Sequence, residues 1–352
     1  MRRIAIAALC VACGTPSATS PSPPLSATPP ARGDHPYQKG QLHLHSSNSG
    51  DSKTDPADVV RWYREHDFDF IVFTDHNFVT VMPEVSGPML VIPGVELTQN
   101  LRTCDPPPTD DAGCLLHVNA LFVTQPAPGA LRFTPSDGHR LSLYRNAMDA
   151  AVKLGGIAQL NHPNFHWAAD AALIAELVKG GLGLFEVANQ STDVANPGDA
   201  THPSTEALWD TVLTGGGHLF GVATDDAHFY YDADEARARG ITPDVGNLGW
   251  VMVHARHDPA AIRDAIVRGD FYASNGVVLH RVEREGDAVA IEVADESPGE
   301  HEIVCIANGG REVARQRGRS ARCPIADGGY VRATVTDGRG RQAWVQPMWR
   351  DK

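Results

Sequence analysis

The chain alternates short apolar runs with segments of helical periodicity from residue 40 to about 275. Strand–helix alternation over such a length predicts a mostly parallel sheet, which is either open or closed into a barrel. The predicted strands span residues 41–45, 70–74, 90–96, 115–123, 157–161, 184–187, 218–224 and 250–254. The predicted helices span residues 56–66, 141–154, 168–179, 205–214 and 259–268, and Asp55 or Thr54 could cap the first of them.

The pattern changes near residue 280, where helical periodicity gives way to short alternating segments. Residues 281–293, 301–307, 330–336 and 342–346 are predicted as strands, separated by turn signals such as Asn308-Gly309-Gly310. We therefore predict an α/β domain at residues 37–278 and a small antiparallel β module at residues 279–352. A chain of 352 residues with 42% hydrophobic content can bury a core of that size.

The N-terminus has the composition of an export signal followed by a tether. Arg2 and Arg3 precede an apolar run at residues 4–12 and then Cys13. Residues 14–36 are dominated by small and polar residues and Pro, so they cannot bury enough apolar surface to fold. A short signal (residues 1–13), a cysteine and a tether resemble a bacterial lipoprotein, with Cys13 as the lipidated residue. An ordinary cleaved signal is the alternative, and both predict export to the bacterial cell envelope, in the periplasm or on the outer surface.

Cys10 and Cys13 belong to the predicted signal. The other four cysteines form two local pairs, Cys104 with Cys114 and Cys305 with Cys323. In an oxidising compartment these pairs predict two disulfides, whereas a cytosolic enzyme would keep four free thiols. The net charge of −13 argues against nucleic-acid partners. No apolar stretch reaches the roughly 20 residues of a spanning helix, so a lipid anchor would be the only membrane contact.

Residues of metal-ligand type lie at or near the ends of the predicted strands. His43 and His45 are two residues apart, so on a strand both rings point to the same face. Seven further residues of this type follow or occupy later strands: Asp51, His76, Glu96, His117, His162, Asp226 and His228. The carboxyl ends of parallel strands gather on one face, where such folds place their active site. Six His, two Asp and one Glu suit Zn²⁺, Mn²⁺ or Fe²⁺, and nine ligands indicate two or three ions.

In their order and approximate spacing, these motifs resemble the PHP (polymerase and histidinol phosphatase) superfamily over about residues 38–275. The resemblance implies a distorted (β/α)7 barrel with a trinuclear metal site. It implies three ligand sets: His43, His45, Glu96 and Asp226; Glu96, His117 and His162; and Asp51, His76 and His228. Relatives often have His where this chain has Asp51, a departure that could weaken or alter the third site.

Residues 269–276 and 336–344 look like the CehA/McbA-type branch of PHP metallohydrolases, which is named for carbamate and ester hydrolases. The likeness implies a hydrolase that uses a metal-activated hydroxide, with His43, Glu96, Asp226 and His228 as its catalytic residues. We expect a small-molecule phosphoester as substrate, because several cations suit a phosphoryl group. A carboxylic ester or carbamate is the alternative, and an inactive envelope protein that binds a ligand on this scaffold is another.

Four further residues are predicted to orient ligands or to contact substrate: Asp75, Asn161, His166 and Glu186. Asp75 could instead cap the segment that follows it, and His166 could lie on the surface. The motif loops hold no obvious cluster of Arg and Lys to clamp a phosphate, although Lys39, Arg102 and Arg145 could reach it. The sequence has no nucleophile elbow, P-loop or dinucleotide fingerprint. It makes no prediction of oligomeric state.

Overall fold

The computed structural model describes residues 36–83, 87–108, 113–125, 129–131, 137–240 and 245–350. The predicted signal, Cys13 and all but the last residue of the predicted tether lie outside these residues, so lipidation and export stay predictions. Within the described ranges, no helix is both long enough and apolar enough to cross a membrane.

The described residues form a mixed α/β structure. Its helices are α1 (Pro56–Glu65), α2 (Arg140–Lys153), α3 (Ala171–Lys179), α4 (Thr205–Thr214), α5 (Ala233–Ala238) and α6 (Pro259–Arg268). The first twelve strands are β1 (Tyr37–Gln41), β2 (Phe70–Val72), β3 (Phe78–Val79), β4 (Leu90–Ile92), β5 (Val95–Leu101), β6 (Cys114–Leu121), β7 (Gly129–Ala130), β8 (Ile157–Leu160), β9 (Leu184–Asn189), β10 (Phe220–Thr224), β11 (Trp250–His254) and β12 (Phe271–Ser274). The last seven are β13 (Leu279–Glu285), β14 (Ala288–Val293), β15 (His301–Ala307), β16 (Arg311–Arg317), β17 (Ser320–Pro324), β18 (Tyr330–Asp337) and β19 (Gln342–Trp349).

Two large sheets organise the chain. The nine-stranded sheet has the order β16-β15-β18-β19-β12-β11-β1-β2-β4, and the five-stranded sheet has the order β10-β9-β8-β6-β5. Only β1-β2-β4 and β8-β9-β10 are parallel in these sheets, so the expectation of a mostly parallel sheet is wrong for the rest. No ladder among the described strands closes them into a ring, and the predicted (β/α)7 barrel is therefore not confirmed.

The two large sheets meet along a line that we call the inter-sheet seam, defined by two isolated bridges. Leu44 bridges Ala227, and His76 bridges Glu96. The backbone N–H of Asp226 donates to the His43 carbonyl at 3.0 Å. The chain just after β1 and β2 is thereby fixed against the end of β10 and the start of β5, and residues from both sheets meet there.

Helix α1 illustrates how the local sequence specifies an element. Asp55 is its N-cap and accepts a hydrogen bond from the Ala57 N–H, and Pro56 occupies its first turn. A side-chain cap of this kind stabilises a helix by about 1 kcal/mol. The helix buries Val59, Val60 and Tyr63 on one face, next to the residues that follow β1 and β2. The helix predicted at 56–66, with Asp55 as a possible cap, is confirmed.

The predicted strand at 90–96 is wrong, because it divides into β4 and β5 at Pro93-Gly94. A Cβ atom at Gly94 would lie 2.6 Å from the carbonyl oxygen of Phe73, so only glycine fits this close approach. After the break the chain enters the other sheet and pairs antiparallel with β6. Glu96 consequently stands near the start of a strand rather than at the end of one.

The C-terminal strands β13 to β19 pair antiparallel with one another. The single strand predicted at 281–293 is wrong, since a turn at Gly286, with φ of 65°, divides it into the hairpin β13–β14. Strand β19 also pairs with β12, so the nine-stranded sheet continues from the predicted α/β domain into the predicted module. The boundary at residues 278 and 279 stays a prediction.

Both predicted disulfides are present. Cys104 and Cys114 are joined near the ends of β5 and β6, and Cys305 and Cys323 join β15 to β17. An ion pair connects the C-terminal strands to helix α4. The buried Arg332 of β18 donates to both carboxylate oxygens of Asp210 in α4, each at 2.7 Å. The C-terminal strands are therefore held against α4 by a buried ion pair.

Candidate metal centre

His43 and His45 lie just past β1, which ends at Gln41, rather than inside the strand as predicted. Side chains nevertheless continue to point alternately to two faces beyond the end of β1, since Leu42 and Leu44 are fully buried in the core. The Nε2 atoms of His43 and His45 lie 3.2 and 3.1 Å from the same atom, Asp226 Oδ1. Both rings therefore point to one side, as the two-residue spacing predicts.

The structure brings the nine predicted ligand residues into one connected cluster. Glu96 lies at its centre, and its carboxylate oxygens are within 3.6 Å of a ring nitrogen of His43, His45, His76, His117 and His162. Asp226 contacts His43, His45 and, at 3.9 Å, His162. Asp51 contacts His76 at 2.9 Å and His228 at 3.3 Å.

Three groups within this cluster are compact enough to hold a metal ion. They are His43, His45 and Glu96; Glu96, His117 and His162; and His45, Asp51, His76 and His228. The groups parallel the three predicted ligand sets, with His45 added to the third and with Asp226 in contact with the first. The first two groups are buried, whereas the third is partly open, with 46% of the Asp51 side chain exposed. Which residues bind which ion stays a prediction.

The donor set fits divalent cations. The buried atoms His43 Nε2 and Glu96 Oε2 lie close to other ionisable groups of the cluster but make no well-aligned hydrogen bond among the described residues, which is costly for a buried polar atom. Imidazole nitrogen and carboxylate oxygen, without thiolate, are the ligands of Zn²⁺, Mn²⁺ and Fe²⁺. A cation between these atoms would give each of them a partner.

Neighbouring groups in the cluster shift one another's pKa values. Burial alone would raise the pKa values of Glu96 and Asp226, but the surrounding histidines hold both well below their usual range. Burial, together with repulsion from His228 and His76, lowers the pKa of His45 to about 3. The carboxylates are thus ionised and His45 is neutral at pH 7, which are the states that bind a cation. Neighbouring carboxylates outweigh burial and raise the pKa values of His43 and His76, so these two rings would lose a proton when a cation binds.

Most of the ligand rings are oriented by a neighbour on the nitrogen that faces away from the cluster. His43 Nδ1–H donates to Glu186 at 2.7 Å, and His228 Nδ1–H donates to the backbone carbonyl of Asp226 at 2.9 Å. His117 Nε2 lies 2.9 Å from Asn100 Oδ1. Such partners fix the tautomer and leave the other nitrogen free for a metal.

Glu186, in β9, is the principal support of the site. Its fully buried carboxylate accepts hydrogen bonds from five donors: the His43 ring, the His162 backbone, and the side chains of Asn189, Thr224 and Gln159. Asn189 also donates to Asp226 Oδ2 at 3.0 Å. Glu186 and Asn189 therefore position members of two ligand groups at once.

The other predicted supporting residues differ in what they contact. Asn161 donates to Glu96 Oε1 at 2.8 Å, so it orients a ligand. Asp75 accepts from the N–H and hydroxyl of Ser46 and from Thr80, and thus holds the turn after His45. His166 packs beside Phe165 and does not line the cavity described below.

Two of the ligand residues lie in unusual backbone conformations. His162 has φ of 21° and Asp226 has φ of 52°, in or near the left-handed region that non-glycine residues rarely occupy. Each is held there by a backbone hydrogen bond: His162 N–H donates to Glu186, and Asp226 N–H donates to His43 O. Strain of this kind is concentrated at functional sites, which supports a role for both residues.

A cavity of about 260 Å³ opens onto the cluster. Seven ligand residues line its inner side, and six residues that sequence reasoning missed line the rest: Asn100, Leu115, Phe165, Ser191, Asp193 and Val194. Two of these carried a signal in the sequence. Asn100 is four residues from Glu96 on β5, and Leu115 is two from His117 on β6, so each shares a face with a ligand.

Comparison with known proteins adds little to this description. No protein-family model matches the chain, and no curated protein matches it. Among solved structures, it is similar to a two-domain protein from Bacteroides vulgatus described as containing a predicted PHP-like metal-dependent phosphoesterase. That match covers 88% of this chain and 96% of the other, with 18% identity and a TM-score of 0.44. A TM-score below 0.5 does not establish a shared fold.

Proposed function

We propose that this chain is a metal-dependent hydrolase, and specifically a phosphoesterase that works with two or three divalent ions. The observation that carries the proposal is the cluster of nine His, Asp and Glu side chains around Glu96, at the inner end of an open cavity. A purely structural cluster would have no physical reason to bury so many ionisable groups beside an opening. The PHP-like order of the motifs in the sequence agrees with it, and the CehA/McbA branch stays a prediction.

Four residues of the cluster have a definite task in this proposal. Divalent ions bound here would lower the pKa of a bound water and withdraw charge from a phosphoryl oxygen. Glu96 and Asp226, both ionised, offer carboxylate oxygens to more than one group of ligands. His43 presents its Nε2 because Glu186 occupies its Nδ1. His228 lies at the partly exposed end of the cluster and lines the cavity, where it could contact a bound substrate.

One observation favours a second candidate, a carboxylic ester or carbamate hydrolase. Among the described residues that line the cavity, none is Lys or Arg. Lys39 donates instead to His66 O and Asn247 Oδ1, and Arg145 pairs with Glu176. The expectation that these residues, or the exposed Arg102, could clamp a phosphate therefore has no support in the structure.

We also propose that the protein is exported. Two disulfides within the described residues suit an oxidising compartment better than the cytosol. Lipidation at Cys13 would be tested by metabolic labelling with a fatty-acid analogue, with Cys13→Ala as the control. Label retained by that variant would exclude Cys13 as the anchor.

The proposed activity is tested with one leaving group, p-nitrophenol, presented as a phosphate monoester, a phosphate diester, a carboxylic ester and a carbamate. The purified chain is supplied with Mn²⁺ or Zn²⁺, and each reaction is repeated with a chelator. We expect chelator-sensitive release from a phosphate, lost in His43→Ala and retained in the control His280→Ala, whose side chain is exposed on β13. Release only from the ester or carbamate would select the second candidate. A metal-loaded chain that is silent on all four would favour the inactive binding scaffold.

A further inference from the structure

Six residues complete the cavity wall beyond the predicted metal ligands. Leu115, Phe165 and Val194 are apolar, and Asn100, Ser191 and Asp193 are polar. The rings of Phe165 and the predicted ligand His162 make a T-shaped contact, with centroids 5.0 Å apart. An aromatic ring thus lies beside the candidate metal centre.

Apart from the predicted histidine ligands, the ionisable side chains of the cavity wall are carboxylates. Its four lining carboxylates are Asp51, Glu96, Asp193 and Asp226, and no Lys or Arg lines it within the described part of the chain. Asp51, Glu96 and Asp226 belong to the candidate metal centre, where bound cations would neutralise them. Asp193 lies outside that centre and keeps its negative charge in the loaded protein.

Asp193 is held in place by the loop that carries it. Its Oδ1 accepts a hydrogen bond from the Ser191 hydroxyl at 2.9 Å. Asn164 donates to the carbonyl oxygens of Ala195 and Pro203, which fixes the loop after β9 to the segment that bears Phe165. The Asp193 carboxylate therefore lies on the cavity wall beside Val194, with its orientation set by Ser191.

We propose that this cavity selects a phosphate diester with a single negative charge and an uncharged, apolar second ester group, and that Asp193 excludes substrates with a further anion. The proposal rests on the proposed phosphoesterase function and narrows it. A doubly charged phosphate monoester is usually held by Arg or Lys in addition to metal ions, and neither occurs among the described residues of this wall. In the reaction, a water oxygen forms the new bond to phosphorus, the bond to the leaving alcohol breaks, and that alcohol takes a proton. The products are an alcohol and a phosphate monoester.

The test compares three p-nitrophenyl substrates on the metal-loaded chain: p-nitrophenyl phenyl phosphate, its 4-carboxyphenyl analogue, and p-nitrophenyl phosphate. We expect kcat/KM to be highest for the phenyl diester and about fivefold lower for the carboxylated diester. The difference is modest because the Asp193 carboxylate and the carboxylate of the substrate are both partly solvated when they repel each other. Asp193→Asn should bring the two diesters to within about twofold, and added salt should narrow the gap in the unaltered chain. Asp264→Asn, an exposed aspartate on α6, should leave the ratio unchanged.

A binding measurement separates failure of this inference from failure of the proposed function. Phenyl methylphosphonate and its 4-carboxyphenyl analogue keep the single phosphoryl charge and are compared by calorimetry on the metal-loaded chain. Tighter binding of the first, lost in Asp193→Asn, supports the inference even without turnover of any phosphate. Equal affinities for the two analogues, or a monoester hydrolysed faster than the phenyl diester, would overturn it. No turnover of any phosphate, in a chain that binds the analogues as expected, would count against the phosphoesterase alone.

Discussion

Replacement of Glu186 by glutamine should weaken metal binding without changing any predicted ligand. Each Glu186 oxygen faces only donors: Oε1 faces the His43 ring and the Thr224 hydroxyl, and Oε2 faces the His162 N–H and the Asn189 amide. In glutamine an NH2 group replaces one of these oxygens. That NH2 group is a donor and would face groups that are themselves donors. If it faces His43, the ring can restore a hydrogen bond only by moving its proton to Nε2, the nitrogen presented to the metal.

The size of the effect follows from these contacts. Loss of a partner that orients a metal-binding histidine lowers metal affinity by about 10- to 100-fold, which is about 1.4 to 2.8 kcal/mol. A buried donor left without an acceptor costs about 1 to 3 kcal/mol in folding. The variant without metal should therefore also unfold at lower urea concentration.

The assay is a competition titration of Mn²⁺ between the protein and a chromophoric chelator, with urea unfolding of the metal-free chain in parallel. Glu176→Gln is the matched control, because Glu176 makes its ion pairs on the exposed face of α3. A Glu186→Gln variant that binds Mn²⁺ within twofold of the unaltered chain would refute the positioning role. A variant with lower stability but unaltered metal affinity would reduce Glu186 to a structural residue.

Three further predictions concern stability. Chelation should lower the unfolding temperature, because an ion at 100 times its dissociation constant stabilises the folded chain by about 2.7 kcal/mol. If differential scanning calorimetry shows the same unfolding temperature with and without chelator, the folded chain binds no ion. Arg332→Met should cost about 3 to 5 kcal/mol in urea unfolding by leaving buried Asp210 without its cation, and a cost below 1 kcal/mol would contradict the buried pair. Burial lowers the pKa of Lys39 from 10.5 to about 8, so between these values only the unfolded chain holds the proton and the free energy of unfolding rises with pH. That rise, at most about 3 kcal/mol, should be absent in Lys39→Met when urea unfolding is compared at pH 8 and pH 10.

The sequence predicted the site better than the sheets, for a physical reason. A period of two is a local property, so the common direction of His43 and His45 could be inferred even though the strand ends at Gln41. Strand partners are a long-range property. The break at Pro93-Gly94 and the antiparallel pairing of β5 with β6 depend on contacts that no local pattern records.

The supporting residues show the same limit. Glu186 was predicted to orient a ligand or to contact substrate, but its five donors come from β8, β9, β10 and the segments after β1 and β8. Only the assembled structure brings them to one carboxylate. Asp193 had no signal at all, because an exposed aspartate in a loop is ordinary until the cavity beside it is seen.

Metal ions bound at the inter-sheet seam would also have a role in assembly of the fold. His43, His45 and His76 follow strands of the nine-stranded sheet, whereas Glu96, His117, His162 and Asp226 belong to or follow strands of the five-stranded sheet. Any ion bound by both sets is a cross-link between residues that are far apart in the chain, such as His43 and Asp226. Glu96, His117 and His162 all belong to or follow strands of the five-stranded sheet, but the other two ligand groups are complete only when both sheets have formed. Ions at those two groups would therefore be bound late in folding. During unfolding, ions held by residues of both sheets would be released when the two sheets first separate.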